Sequence, residues 1–151
     1  VLGLNDALVE LTGALAGFTF AFQDTRLTAL AGLITGISAS FSMAASEYLS
    51  VRAEGGRQAP LKSALYTGTA YVFTVLLLIL PYLVFKSYIT ALSFTLLNGI
   101  VVIAVFNYYI SVVKDYDFRR RFFEMAAISL GVAFVSFLIG SVIRSVFGLE
   151  L

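Results

Sequence analysis

The sequence predicts an all-α integral membrane protein of five transmembrane helices, and three observations carry that prediction. The chain is 60% hydrophobic and only 13% charged, with a mean hydropathy of +0.95; soluble domains carry about 25% charged residues. Its uncharged runs have the length of a bilayer span, about 17–25 residues. The remaining Lys and Arg collect in alternate loops, as they do on the cytosolic side of membrane proteins.

The runs give the elements in order. Leu27 to Ser46 is free of charge for 20 residues; 23 residues separate Lys62 from Lys86, 27 separate Lys86 from Lys114, and 19 separate Glu124 from Arg144. The longest needs some tilt to fit. The first segment differs, because between Glu10 and Asp24 only 13 residues are uncharged. To span, it must carry Asp6 and Glu10 into or near the hydrocarbon. The expected helices are 3–22, 27–51, 63–85, 89–113 and 122–147, with backbone groups paired inside each. Residues 1–151 read as a single membrane domain. The chain opens on Val1, already at a helix edge, as expected of a fragment whose N-terminal part, such as a soluble domain, is missing.

Orientation follows from the loops. Arg52, Arg57 and Lys62 lie between helices 2 and 3, and Lys114, Arg119, Arg120 and Arg121 between helices 4 and 5; the other side has Arg26, Lys86 and Arg144. The positive-inside rule places the N-terminus in the cytosol and the C-terminus outside. Arg119 to Arg121 are then expected to set topology and to meet lipid headgroups.

Composition also excludes. There is no Cys and no His, which removes disulfides, thiolate nucleophiles, zinc-type sites and Ser-His-Asp triads. A net charge of +1 gives no reason to expect nucleic acid. Nothing in the chain asks for an enzymatic reading or a permanently bound cofactor.

Small residues mark the faces that meet helices instead of lipid. Gly13 and Gly17 in helix 1, and Gly32 and Gly36 continued by Ser40 and Ala44 in helix 2, form small-xxx-small ladders that allow close backbone approach. Positions 6, 10, 13 and 17 share one side of a helix, so Gly13 and Gly17 are expected to pack helix 1 against its mate in a homodimer. Pro81 is expected to kink helix 3. Tyr66, Tyr82 and Tyr88 are expected as interfacial anchors, and Asn98 and Asn107 as interhelical hydrogen-bonding groups.

Helices 1 and 2 form an antiparallel pair joined near Asp24 and Thr25, a pivot that sets Asp6 and Met43 at equal depth. Glu10 lies one turn beyond Asp6, about 6 Å deeper, and Glu47 one turn beyond Met43 toward the cytosol. One hairpin thus offers three carboxylates and a thioether along a line. Carboxylate oxygens suit hard divalent ions and a thioether favours softer ones, so the set points to a borderline ion such as Fe²⁺ or Mn²⁺. Metal ions and protons compete for such oxygens, which is the chemistry of proton-coupled exchange.

Two strings carry a resemblance. Gly3-Leu-Asn-Asp-Ala-Leu-Val and Ser42-Met-Ala-Ala-Ser-Glu-Tyr-Leu-Ser-Val resemble the Asn-Asp-Gly and Ser-Met-Ala-x-Gly-Glu-Tyr-Leu-Ser motifs of the vacuolar iron transporter family, with Ala7 and Ser46 in place of glycines. The resemblance implies a homodimer with its ion path between the first helices, moving Fe²⁺ out of the cytosol against protons. The family's essential Asp and Met fall on Asp6 and Met43, and its motif Glu on Glu47. Members with a long acidic insertion between helices 2 and 3 gather metal there; here the connection is short and carries one acid, Glu54, a candidate cytosolic entry residue. In that respect the chain is most similar to the membrane domain of the subgroup fused to a ferritin-like rubrerythrin domain.

The resulting expectation is a dimer in the prokaryotic cell (inner) membrane. It exports Fe²⁺, with Mn²⁺ as a second cargo, in exchange for protons. Asp6 and Met43 are ligands, Glu10 a deeper ligand or proton acceptor, and Glu47 an entry ligand. The rivals are a passive dimeric ion channel and a membrane anchor for a soluble N-terminal domain.

Overall fold

A computed structural model describes residues 2–55, 59–115 and 117–148. Arg57, one of the seven residues on the basic side, lies outside the described residues. The described residues form five helices: α1 (Leu2–Phe22), α2 (Thr25–Ala53), α3 (Pro60–Val84), α4 (Tyr88–Lys114) and α5 (Phe118–Phe147). Their ends are set by caps more than by charges. Asp24 accepts from the Leu27 N–H at 2.8 Å and starts α2 two residues before the apolar run. Pro60 starts α3 at a position where its missing N–H costs nothing. Asp117 accepts from the Arg119 N–H at 3.0 Å and draws Arg119, Arg120 and Arg121 into α5. Gln23, with φ of 52°, turns the chain between α1 and α2.

α1 is the central element and touches all four others, most extensively α5, while α2 pairs mainly with α3. Its Ala7, Leu8, Leu11 and Leu15 are buried against Tyr71, Val75 and Leu78 of α3 and Ile103 of α4. The glycines decide how closely the helices pass. A Cβ on Gly13 would stand 2.7 Å from a Val132 methyl, and a Cβ on Gly140 would collide with the Gly17 carbonyl oxygen. α1 and α5 therefore run parallel with their backbones in contact. A Cβ on Gly36 would meet a Val75 methyl at 2.5 Å, and one on Gly32 a Leu15 methyl at 2.5 Å.

That placement corrects one expectation. Gly13 and Gly17 do not present a free face for a second copy, because α5 of the same chain already occupies it. The reason is geometric: Gly140 and the small Ser136 give α5 the matching flat surface. Tyr82 is corrected too. Instead of anchoring at an interface it is buried, with its hydroxyl 2.7 Å from Thr19 Oγ1 of α1.

α3 continues helically through Pro81. Proline has no N–H for the carbonyl four residues earlier, which is that of Leu77. Asn98 of α4 donates its Nδ2 to that oxygen at 3.4 Å, and Thr95 donates to the Leu78 carbonyl at 2.9 Å. Asn107 donates to Met125 Sδ of α5 at 3.4 Å. Both asparagines thus bond across helices.

The exterior is apolar. Leu30, Ile34, Phe41, Phe73, Leu83 and Val105 are all exposed, a surface that soluble monomers rarely show. α2, α3, α4 and α5 are each long and apolar enough to cross a bilayer. α1 is not among them over its described residues, since Asp6 and Glu10 lower its hydropathy.

Candidate functional site

The packing of α1 leaves one stripe uncovered near its N-terminal end. Ala7, Leu8, Leu11 and Thr12 are buried, whereas Asp6 and Glu10, one turn apart, are exposed. Both acids thus face outward from the bundle. Glu10 Oε2 accepts a hydrogen bond of 2.9 Å from the Tyr71 hydroxyl of α3. Tyr71 itself is only 1% exposed, so its position is fixed by the core. Asp6 lies within electrostatic reach of the same hydroxyl.

The α2 residues line up differently. Met43 is half-buried and packs against the core cluster that contains Tyr71. Glu47, one turn nearer the end of α2, is half-buried and accepts from Ser63 Oγ of α3 at 2.5 Å. Glu54 caps the C-terminus of α2 at the surface, where its carboxylate accepts from Ser50 Oγ at 3.4 Å.

α3 therefore supplies a hydroxyl to two of the three carboxylates. An ionised carboxylate offers about four lone-pair sites, so one such bond fixes the group and leaves oxygen electrons available to a cation. Among the described residues no three Asp, Glu, His or Cys side chains converge on a point. What one chain presents is a row of held carboxylates along α1 and α2, beside a thioether.

Tyr71 and Ser63 escaped the reading of the sequence, although a signal was there. Ser63, Thr67, Tyr71 and Thr74 recur every three or four residues along α3, which places a polar stripe on one face of an otherwise apolar helix.

A helical bundle with a lipid-compatible exterior and acids on the open stripe of its central helix defines an integral membrane protein. Comparison with known families refines that class: a family model described as the VIT family matches residues 1–56. Those residues include α1, α2 and all five of Asp6, Glu10, Met43, Glu47 and Glu54. The match supports the resemblance to the vacuolar iron transporter family over that stretch. A comparison with curated proteins gave no match.

Proposed function

We propose that this chain transports divalent transition-metal ions, Fe²⁺ first and Mn²⁺ second, out of the cytosol of a prokaryotic cell in exchange for protons. The observation that carries the reading is the pair Asp6 and Glu10, exposed on α1 within the stretch that matches the VIT family. In this reading α1 is the fifth span, the N-terminus is cytosolic and the C-terminus outside. A carboxylate facing lipid costs about 2.5–3.5 kcal/mol on insertion scales at a helix centre, and less toward the ends. Two such groups on an open stripe therefore favour a second copy that covers them.

A twofold pairing of these stripes brings Asp6 and Glu10 of both copies to one path, and so assembles a donor set that the described residues of one chain lack. Asp6 and Met43 act as ligands, the hydroxyl-held Glu10 as deeper ligand or proton acceptor, and Glu47 as entry ligand. Glu54 stands at the cytosolic mouth. Release of the ion leaves carboxylates that take up protons, which couples the two fluxes. The short connection between α2 and α3 supports a likeness to the rubrerythrin-fused subgroup.

The test is Fe²⁺ and Mn²⁺ flux into proteoliposomes, with and without a pH gradient, for the wild type and Asp6→Asn. Uphill accumulation that needs the gradient and is abolished in Asp6→Asn is the expected result. Flux indifferent to the gradient would indicate a passive pore, and full Fe²⁺ transport by Asp6→Asn would end the proposal.

A further inference from the structure

A second polar site lies on the other side of α1. A cavity of about 210 Å³ opens between the first turns of α1 and α5 and the last turns of α4, with Asn5, Asn107, Arg121, Glu124 and Met125 among its lining residues. Its remaining walls, Phe106, Ile110 and Ile128, are apolar. The donors and acceptors inside it are unevenly matched. Asn107 already spends its Nδ2 on the Ile103 carbonyl at 2.9 Å and on Met125 Sδ at 3.4 Å. The Asn5 Oδ1 atom is buried and has no hydrogen-bond partner among the described residues. Glu124, exposed at the mouth, adds a second strong acceptor one turn from the half-buried Arg121.

This arrangement selects by charge. A bare metal cation would meet one carboxylate and an opposing guanidinium. A bare anion would meet Arg121 but also Glu124 and an orphaned carbonyl oxygen. A zwitterion whose cationic end carries N–H donors suits all three groups. The bundle end is the one that carries Arg52, Lys62, Lys114 and Arg119, the level of phospholipid headgroups on the basic side of a membrane protein. We propose that the cavity seats the headgroup of an ethanolamine phospholipid. Its ammonium donates to Asn5 Oδ1 and the Glu124 carboxylate, its phosphate lies against Arg121, and its acyl chain follows Phe106, Ile110 and Ile128. The site is separate from the acidic stripe and independent of what that stripe carries.

The chemistry supplies its own probe, because successive N-methylation of phosphatidylethanolamine removes N–H donors one at a time and keeps the charge. The full chain is placed in nanodiscs in which one lipid is varied through phosphatidylethanolamine, its mono- and dimethyl forms and phosphatidylcholine, and the unfolding midpoint is read. The expected result is a stabilisation that falls with each methyl and is gone at phosphatidylcholine, and a series that becomes shallower in Glu124→Gln, where the charged acceptor is lost and Asn5 Oδ1 remains. A wild-type midpoint unchanged along the series overturns the proposal, and this arm needs no variant to fold. A gradient of undiminished slope in Glu124→Gln assigns the effect to bilayer curvature and overturns it as well. So does a preference for phosphatidylglycerol over all four, which would indicate a simple anion site.

Discussion

Two glycines of α5 allow the packing of the central helix to be tested with one methyl group. Gly131 has nothing within 4 Å of where its Cβ would stand, whereas at Gly140 the Cβ would collide with the Gly17 carbonyl oxygen and stand 3.0 Å from the Gly17 carbonyl carbon. Replacement of a helical glycine by alanine gains about 1 kcal/mol from backbone propensity at either site. At Gly140 that gain is set against overpacking, which costs about 1–3 kcal/mol. The obstacle there is main chain, so no rotamer change relieves it and the upper end applies. Gly131→Ala should therefore be slightly stabilising. Gly140→Ala should fall about 3 kcal/mol below it, or about 6–12 °C in unfolding midpoint for a chain of this size. Gly36→Ala is an intermediate case, since a Val75 side chain, stiff at χ1 but still movable, is what it meets. Thermal unfolding followed by circular dichroism, with the variants in one detergent, gives the ranking. Equal midpoints for Gly140→Ala and Gly131→Ala would show that α1 and α5 do not touch at this point and would refute the packing described.

Three further outcomes follow from named contacts. Tyr71→Phe removes the donor that holds Glu10; a hydrogen bond to a charged group is worth about 1.5–3 kcal/mol, so the apparent KM for Fe²⁺ in proteoliposomes should rise about tenfold or more, and an unchanged KM would remove Glu10 from the path. Met43→Leu keeps volume and apolarity but loses the sulfur, so Fe²⁺ flux should fall more than Mn²⁺ flux; equal survival of both would make Met43 a packing residue only. Asn98→Leu leaves the Leu77 carbonyl unpaired and, at about 1 kcal/mol for an interhelical hydrogen bond in a membrane, should lower the unfolding midpoint by about 2–4 °C, with no shift expected if that bond is absent.

The helices were legible in the sequence because lipid tolerates few charges, so charge-free runs mark them almost directly. Their ends were less so. Charges suggested that the Arg119–Arg121 segment was loop, but the Asp117 cap starts α5 there. Residues that lie one turn apart, such as Asp6 and Glu10, could be placed on a common face from helix periodicity alone. Partners between helices could not. The glycine ladder of α1 meets α5, the helix most distant in sequence, because shape complementarity at Gly140 and Ser136 is a property of two surfaces and leaves no trace in either taken singly. Tyr71 and Tyr82 share α3, yet one hydroxyl holds Glu10 and the other meets Thr19. A tyrosine in a span looks the same in sequence whether it faces headgroups or a buried acceptor.

The carbonyl that Pro81 leaves free divides α3 mechanically. Below it lie Ser63 and Tyr71, which grip Glu47 and Glu10; beyond it Tyr82 is pinned to Thr19. Between residues 77 and 81 the main-chain bond from Pro81 is missing, and two side chains of α4 span the gap: Asn98 on the Leu77 carbonyl at 3.4 Å and Thr95 on the Leu78 carbonyl at 2.9 Å. α4 thus splices the two parts of α3 across the break, so that the hydroxyls holding Glu10 and Glu47 and the one meeting Thr19 stay in register on a single strut.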